Sequence, residues 1–178
     1  MTNYGTIGEV LIDEGRLQER ISEIALRVSA DYAGREPLVI GVLKGAVMVM
    51  ADLARTMSSA VEMDWMAVSS YGSAMRSSGV VRIMKDLDLD LTDRHVLIVE
   101  DIVDSGLTLA YLQRTLAARS PASLEVCALL VKDGLQRTEL NLRYVGFRIP
   151  PTFVVGYGLD VGERYRNLTD VVEFLAPE

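Results

Sequence analysis

The residues best equipped for chemistry lie in one stretch, "VLIVEDIVDSGLTLA", residues 96–110. An apolar run, Val96–Val99, ends on the adjacent acids Glu100 and Asp101. Asp104, Ser105, Gly106 and Thr108 follow, and the pattern then turns helical. A strand ending on two carboxylates offers hard oxygen ligands to a divalent cation, or acceptors to a diol. A small-residue turn that opens a helix offers the reverse: free backbone N–H groups, hydroxyl donors, and a glycine that lets a phosphate approach the backbone. A ligand with both a phosphate and a diol, or a Mg²⁺-bound diol, satisfies both halves. Taken singly, each acid reads as a solvated strand end or a helix N-cap. The whole arrangement after a buried strand points to a site.

Several rival chemistries lack their residues. Neither G-x-x-x-x-G-K-[ST] nor G-x-G-x-x-G occurs. Ser105 is not in a G-x-S-x-G elbow, and the one histidine, His95, lies at the far end of the strand, which argues against a serine hydrolase. A single histidine also excludes a two-histidine metal site. Cys127, in "LEVCALLV", reads as a small buried apolar residue with no disulfide partner. Lys132 closes the run "CALLVK" and, on the residues alone, reads as a solvated strand-end charge. In "ERYRN", Arg164 and Arg166 are equal on chemistry as phosphate ligands.

The elements that must position these residues alternate in type. Residues 16–30 place Leu17, Ile21, Ile24, Ala25 and Val28 on one helical face. "LVIGVL" (38–43) reads as a strand buried on both faces. Residues 44–57 read as a helix with Val47, Met50, Leu53, Ala54 and Met57 apolar, a face open to either core or oligomer contact. Residues 61–70 read as a strand with Val61, Met63, Trp65 and Ala67 on one side. Residues 71–79, "YGSAMRSSG", lack periodicity and read as a mobile loop; 80–85 form the other arm of a hairpin. The acids of 86–95 read as a solvated turn. A strand from His95, a helix over 105–120 with Leu109, Leu112 and Leu116 inward, and a strand over 123–133 come next. Short strands are expected at 143–149, 153–160 and 170–177. This order predicts an α/β protein with a central, mostly parallel sheet and helices on both faces.

The chain has 178 residues, the size of one domain, and 49% are hydrophobic, enough for a sizeable core. Its net charge of −7 gives no general reason to bind nucleic acid or an anionic membrane. The N-terminus lacks a basic region followed by an apolar one, and no apolar run reaches membrane-spanning length, so a cytoplasmic protein is expected.

"VLIVEDIVDSGLTL" resembles the phosphoribosyl-diphosphate (PRPP) binding motif of type I phosphoribosyltransferases. "VLKGA" (42–46), "SSYG" (69–72), "ALLVKD" (128–133) and "VGFRIPPTFVVGYGLDVGERYRNL" (145–168) resemble segments of the hypoxanthine-guanine subfamily, in the same order. The resemblance covers about residues 8–175. It implies one domain over 1–178: a core of about 35–155, a small hood subdomain from about 1–20 and 156–178, and a flexible lid loop at about 70–85. It implies that Glu100 and Asp101 hold the ribose hydroxyls directly or through Mg²⁺, and that Asp104, Ser105, Gly106, Leu107 and Thr108 take the 5′-phosphate. Asp104 is also the implied general base near N7 of the purine. Lys132 is the implied reader of the purine 6-oxo group, Phe153 the stacking ring, and Val154 a backbone reader of the Watson–Crick edge. Asp160 is the implied partner of a second Mg²⁺, and Arg166, favoured over Arg164 by register, the pyrophosphate ligand. Leu43, Lys44 and Gly45 resemble the pyrophosphate loop, whose Leu–Lys peptide is often cis in the family. Ser70 and Tyr71 resemble the tip of the lid.

The chain departs from the family at Leu107, where relatives often carry lysine, and at Asp133 beside Lys132. The resemblance implies purine salvage: phosphoribosyl transfer from PRPP to hypoxanthine or guanine, giving IMP or GMP and pyrophosphate, with Mg²⁺ as cofactor, in a homodimer or homotetramer. Two alternatives stay open at this point. One is a nucleic-acid-binding regulator on the same fold, which the acidic balance disfavours. The other is a transferase for xanthine, adenine or a pyrimidine, which Lys132 and "FVVGYGLD" disfavour.

Overall fold

The structure is a computed structural model that describes residues 5–177 apart from 71–80, with only the backbone of Ser70. Tyr71, and with it most of the loop read as a lid, lies outside the described residues.

Strand β1 (Thr6–Ile12) leads into helix α1 (Glu14–Asp31), then β2 (Leu38–Leu43), α2 (Val47–Thr56), β3 (Glu62–Ser70), β4 (Val81–Lys85), β5 (His95–Val103), α3 (Leu107–Ala117), β6 (Ser123–Lys132), β7 (Tyr144–Ile149), β8 (Val154–Val155) and β9 (Val171–Leu175). The central sheet has the order β4-β3-β2-β5-β6-β7 and is parallel except for the edge strand β4. From β2 the chain crosses through α2 to β3 on one side; from β5 it crosses through α3 to β6 on the other. The direction of winding therefore reverses between β2 and β5. Helices on opposite sides of the reversal diverge, leaving a crevice at the carboxyl ends of these two strands.

Both faces of the sheet are covered, which is why its central strands are continuous apolar runs. Val39, Leu97, Val99 and Leu129 pack with α1 and α2, while Leu38, Ile40, Val96, Ile98 and Val126 pack with α3. Val49, Met50, Leu53 and Met57 are buried, so the α2 face left open by its sequence belongs to the core. The helix starts at Val47 because the Lys44–Ala46 segment is a turn; Val47 and Ala54 are only half-buried, and Val49 takes the inward place instead.

Strand β3 also departs from its expected phase. Asp64 and Met66 are buried, whereas Met63 is exposed. The buried acid is satisfied: Asp64 accepts from the N–H groups of Trp65, Asp88 and Leu89. It serves as the anchor for the acid-rich turn after β4, so a polar residue occupies what alternation alone would make the outer face.

A second sheet, β1-β9-β8, joins the two ends of the chain antiparallel. Asp13 caps α1 by accepting from Arg16 N at 2.9 Å, and Asp170, just before β9, accepts from Glu14 N at 2.7 Å. The run 153–160, expected as a strand, is one only at Val154–Val155. The rest turns through Gly156 and Gly158 at positive φ, with Tyr157 also left-handed. No described helix is long and apolar enough to cross a membrane.

Candidate active site

Two chambers open at the carboxyl edge of the central sheet. The larger, about 440 Å³, lies at the winding reversal between Leu43–Gly45 and the segment Glu100–Gly106, with Thr108, Asp160 and Arg166 completing its wall. The smaller, about 240 Å³, lies beside β6, against Lys132, Phe153, Val154 and Leu159. Asp101, Ile102, Asp104 and Asp160 border both. An acid-lined ridge thus separates a cavity that fits a sugar phosphate from one that fits a flat ring.

The floor of the larger chamber is the end of β5. Glu100 is buried, and that burial, reinforced by the neighbouring Asp101 charge, pushes its carboxyl well above the usual range. Asp101 is pushed up to about 6, chiefly by burial, even though the N–H of Ile102 donates to it and Arg166 attracts it. Two desolvated acids side by side are costly as anions unless a cation or hydroxyl donors meet them. A shift from the ordinary 3.8 to about 6 makes the folded protein bind protons more readily than the unfolded chain. Stability from this group is therefore full below pH 3.8 and lost as pH rises toward 6. In metal-free buffer, Asp101→Asn is expected to raise Tm at pH 7 by about 2–8 °C, from about 1–2 kcal/mol, and to leave it unchanged below pH about 4. Thermal melts of both proteins across this range check the sign.

Beyond the acids, the chain opens α3. Gly106 stands at the N-cap with φ 79°, the helix start is met by side chain only in the long 3.5 Å contact of Leu107 N–H to Ser105 Oγ, and its first turn carries no acid. The dipole and the N–H groups there are available to an anion. Ser105, Gly106 and Thr108 line the chamber. Leu107 faces a separate groove with Ala110, Gln113, Arg114, Thr138 and Glu139, so it brings backbone alone to the turn.

Opposite the acids, Leu43–Lys44 is a cis peptide, and Gly45 is packed against Asp101. A Cβ on Gly45 would fall 1.6 Å from Asp101 Oδ2, and one on Gly158 would fall 2.1 Å from the Gly45 carbonyl oxygen. Turn 43–45 is thus wedged between β5 and the 156–168 segment. That segment is held from behind by Tyr157, whose hydroxyl donates to Asp52 on α2. It delivers Asp160 and Arg166, joined at 2.8 Å, to the chamber; Arg164 is exposed and outside this lining.

Glu100 and Asp101, expected at the ribose and its Mg²⁺, and Asp160, expected at a second Mg²⁺, do not converge on one point. No group of three or more ligating side chains able to hold a metal occurs among the described residues. Asp160 instead pairs with Arg166 and accepts from Glu163 N at 2.8 Å. The adjacent pair Glu100 and Asp101 remains a hard-oxygen donor set that suits Mg²⁺, which binds through few carboxylates and keeps substrate and water oxygens.

In the smaller chamber, Lys132 is nearly buried. Its Nζ lies 3.5 Å from Asp104 Oδ2 and 5.9 Å from the Phe153 ring centroid. Phe153 is half-exposed, with its ring open to a planar partner; Val154 is buried in β8. A residue that the sequence pattern does not single out organises this corner. Gln136 Nε2 donates to the carbonyls of both Asp104 and Lys132, and Arg137 N donates to Ser105 O at 2.9 Å. The turn after β6 therefore splints the phosphate loop to the lysine. Its one local signal is the glycine turn "KDGLQ", with Gly134 at φ 74°. Of the sequence-derived residues, Ser70 ends β3, and its side chain is not described.

Comparison with known proteins agrees with this geometry. Residues 11–161 match the model of the phosphoribosyl transferase domain. The hypoxanthine-guanine phosphoribosyltransferase of Mycobacterium tuberculosis is 52% identical over 171 residues, covering 93% of this chain and 85% of that one. The enzyme of that name from Bacillus subtilis is 47% identical over 162 residues, covering 91% and 90%. A crystal structure of a hypoxanthine-guanine phosphoribosyltransferase from Bacillus anthracis superposes with a TM-score of 0.90 at 42% identity, covering 94% of this chain and 99% of that one. The winding reversal, the paired acids near the end of β5 and these relatives together place the chain in the phosphoribosyltransferase family, among the hypoxanthine-guanine phosphoribosyltransferases.

Proposed function

We propose that the chain salvages purines by transferring the 5-phosphoribosyl group of PRPP to N9 of hypoxanthine or guanine, giving IMP or GMP and pyrophosphate. The observation that carries this reading is the joining of the two chambers at Asp101 and Asp104. One side offers paired acids and a helix start with glycine at its N-cap, the other a buried lysine beside an open aromatic face.

In this reading the 5′-phosphate lies on the Ser105–Thr108 turn, and Glu100 and Asp101 take the ribose hydroxyls. These acids, with Asp160 nearby, would hold Mg²⁺, which when bound would supply positive charge to the substrate oxygens. Lys44 and Arg166 hold the diphosphate, drawing off charge as the C1′–O bond breaks. Phe153 stacks on the purine, Lys132 donates to the 6-oxo group, and the Val154 backbone reads the ring edge. The C1′–N9 bond forms on the face opposite the leaving group, while Asp104 holds the N7 proton. The small sheet acts as the hood of the purine chamber through Phe153 and β8.

The test is PRPP-dependent turnover of hypoxanthine, guanine, xanthine and adenine, with and without Mg²⁺. Turnover of the 6-oxopurines alone supports the reading; turnover confined to adenine, or none, sinks it. Lys132→Gln is expected to lower kcat/KM for hypoxanthine by about 10²-fold, the loss of a buried charged hydrogen bond, with the KM for PRPP little changed. Steady-state kinetics against each substrate separates the two effects.

A further inference from the structure

The cations of the diphosphate end already have an anion, supplied by the chain itself. Glu163 Oε2 lies 3.1 Å from Lys44 Nζ and 3.3 Å from an Arg166 terminal nitrogen. A single carboxylate oxygen thus bridges two groups that come from separate segments of the chain, turn 43–45 and the 156–168 segment, both lining the larger chamber. Arg166 spends its other contacts on Asp160 and on the Gly158 carbonyl, and its buried Nε has no hydrogen-bond partner among the described residues. This guanidinium is therefore engaged but not fully satisfied.

The placement of Glu163 is built into the backbone. The residue has φ 66°, a left-handed conformation that side chains other than glycine rarely adopt. Its N–H donates to Asp160, and Val161 bridges Arg164 across the same turn. Strain of this kind persists only where surrounding contacts impose it. The carboxylate itself is 63% exposed, so water screens the bridge and a stronger anion can displace it. A diphosphate carries more charge and more acceptor oxygens than one carboxylate, and it matches a guanidinium fork better.

We propose that Glu163 is an internal competitor for the diphosphate. It holds Lys44 and Arg166 in the free enzyme, is displaced by PRPP or pyrophosphate, and returns to the cations as pyrophosphate leaves. This rests on the assignment of Lys44 and Arg166 to the diphosphate. The arrangement weakens the ground-state grip on both diphosphate-bearing ligands and so limits trapping of the product. It also keeps the two cations preset in a geometry that one bridging oxygen already satisfies.

Glu163→Gln and Glu163→Ala test it through the Kd of Mg²⁺-pyrophosphate, measured by calorimetry, and through the KM for PRPP. Both constants are expected to fall together by about three- to tenfold, the size expected for removing two screened ion pairs. The Kd of IMP, which has no diphosphate, should stay within twofold of wild type. Unchanged or weaker pyrophosphate binding in variants that still turn over would mean that Glu163 braces Arg166, and the proposal fails. An equal tightening of IMP would reduce the effect to net charge, and the proposal fails in that case too. If wild-type protein binds no pyrophosphate, the assignment of the diphosphate site falls first and takes the proposal with it.

Discussion

Asp104→Asn is expected to lower kcat for IMP formation by about 10²–10⁴-fold, the usual worth of a positioned acid–base group. The Asp104 side chain is 56% exposed on the ridge between the chambers, with its carboxylate 3.5 Å from Lys132. Its backbone is fixed independently, because Gln136 donates to its carbonyl and Arg137 N–H donates to the carbonyl of Ser105. Asparagine keeps the shape but is neutral, so it loses the ability to take up a proton and, with it, the ion pair to Lys132. The fold, the phosphate turn and the KM for PRPP should therefore survive, and the loss should appear in kcat. Pre-steady-state mixing of enzyme with both substrates separates the chemical step from product release. A kcat within threefold of wild type would remove Asp104 from proton transfer. A loss confined to KM would make it a binding group only.

Gly45→Ala is expected to be nearly as damaging, for a steric reason. The added Cβ would lie 1.6 Å from Asp101 Oδ2 and 2.4 Å from its carboxyl carbon, far inside van der Waals contact. The obstacle is a short side chain at the end of a buried strand, so relief requires either turn 43–45 or the Asp101 carboxylate to move. The turn is blocked from behind, since the Gly45 carbonyl sits against Gly158. Overpacking of this kind typically costs about 1–3 kcal/mol, and the displaced parts are those assigned to ribose and diphosphate. PRPP turnover should fall about 10²-fold or more, with a Tm drop of several degrees. The double variant Gly45→Ala/Asp101→Ala would regain the lost stability but not the activity. Near-normal turnover in the single variant would show that the wedge is not needed.

How much of the fold is legible in the sequence differs from segment to segment. The strand from His95 and the helix with Leu109, Leu112 and Leu116 inward are found as expected, because each follows from local periodicity and from a glycine that must turn; the strand, however, does not stop at the acids but carries them within β5 to Val103, where its pairing with β6 continues. Strand β3 is out of its expected phase, because its buried carboxylate finds donors in residues 88 and 89, beyond any local window. Strand β1 has no sequence signature, because it pairs at a sheet edge and most of its residues are exposed or half-buried, so it shows little alternation. The run 153–160 looks apolar enough to be a strand. Its course is set by left-handed residues packed against Gly45 and by the Tyr157 contact to Asp52, and neither partner is near in sequence.

The amino-acid order alone settled which chemical groups stand at the end of each strand, since that depends only on residue type and on neighbours within a few positions. Bringing 43–45, 100–108, 132–137 and 153–166 to one edge was the work of the tertiary structure. Parallel pairing of β2, β5 and β6 aligns their carboxyl ends, and the winding reversal opens the space between them. The ion pairs of Glu163 with Lys44 and of Lys132 with Asp104, and the wedge of Gly45 on Asp101, exist only once those strands have paired. Distances across the site are non-local quantities, and no window of sequence contains them.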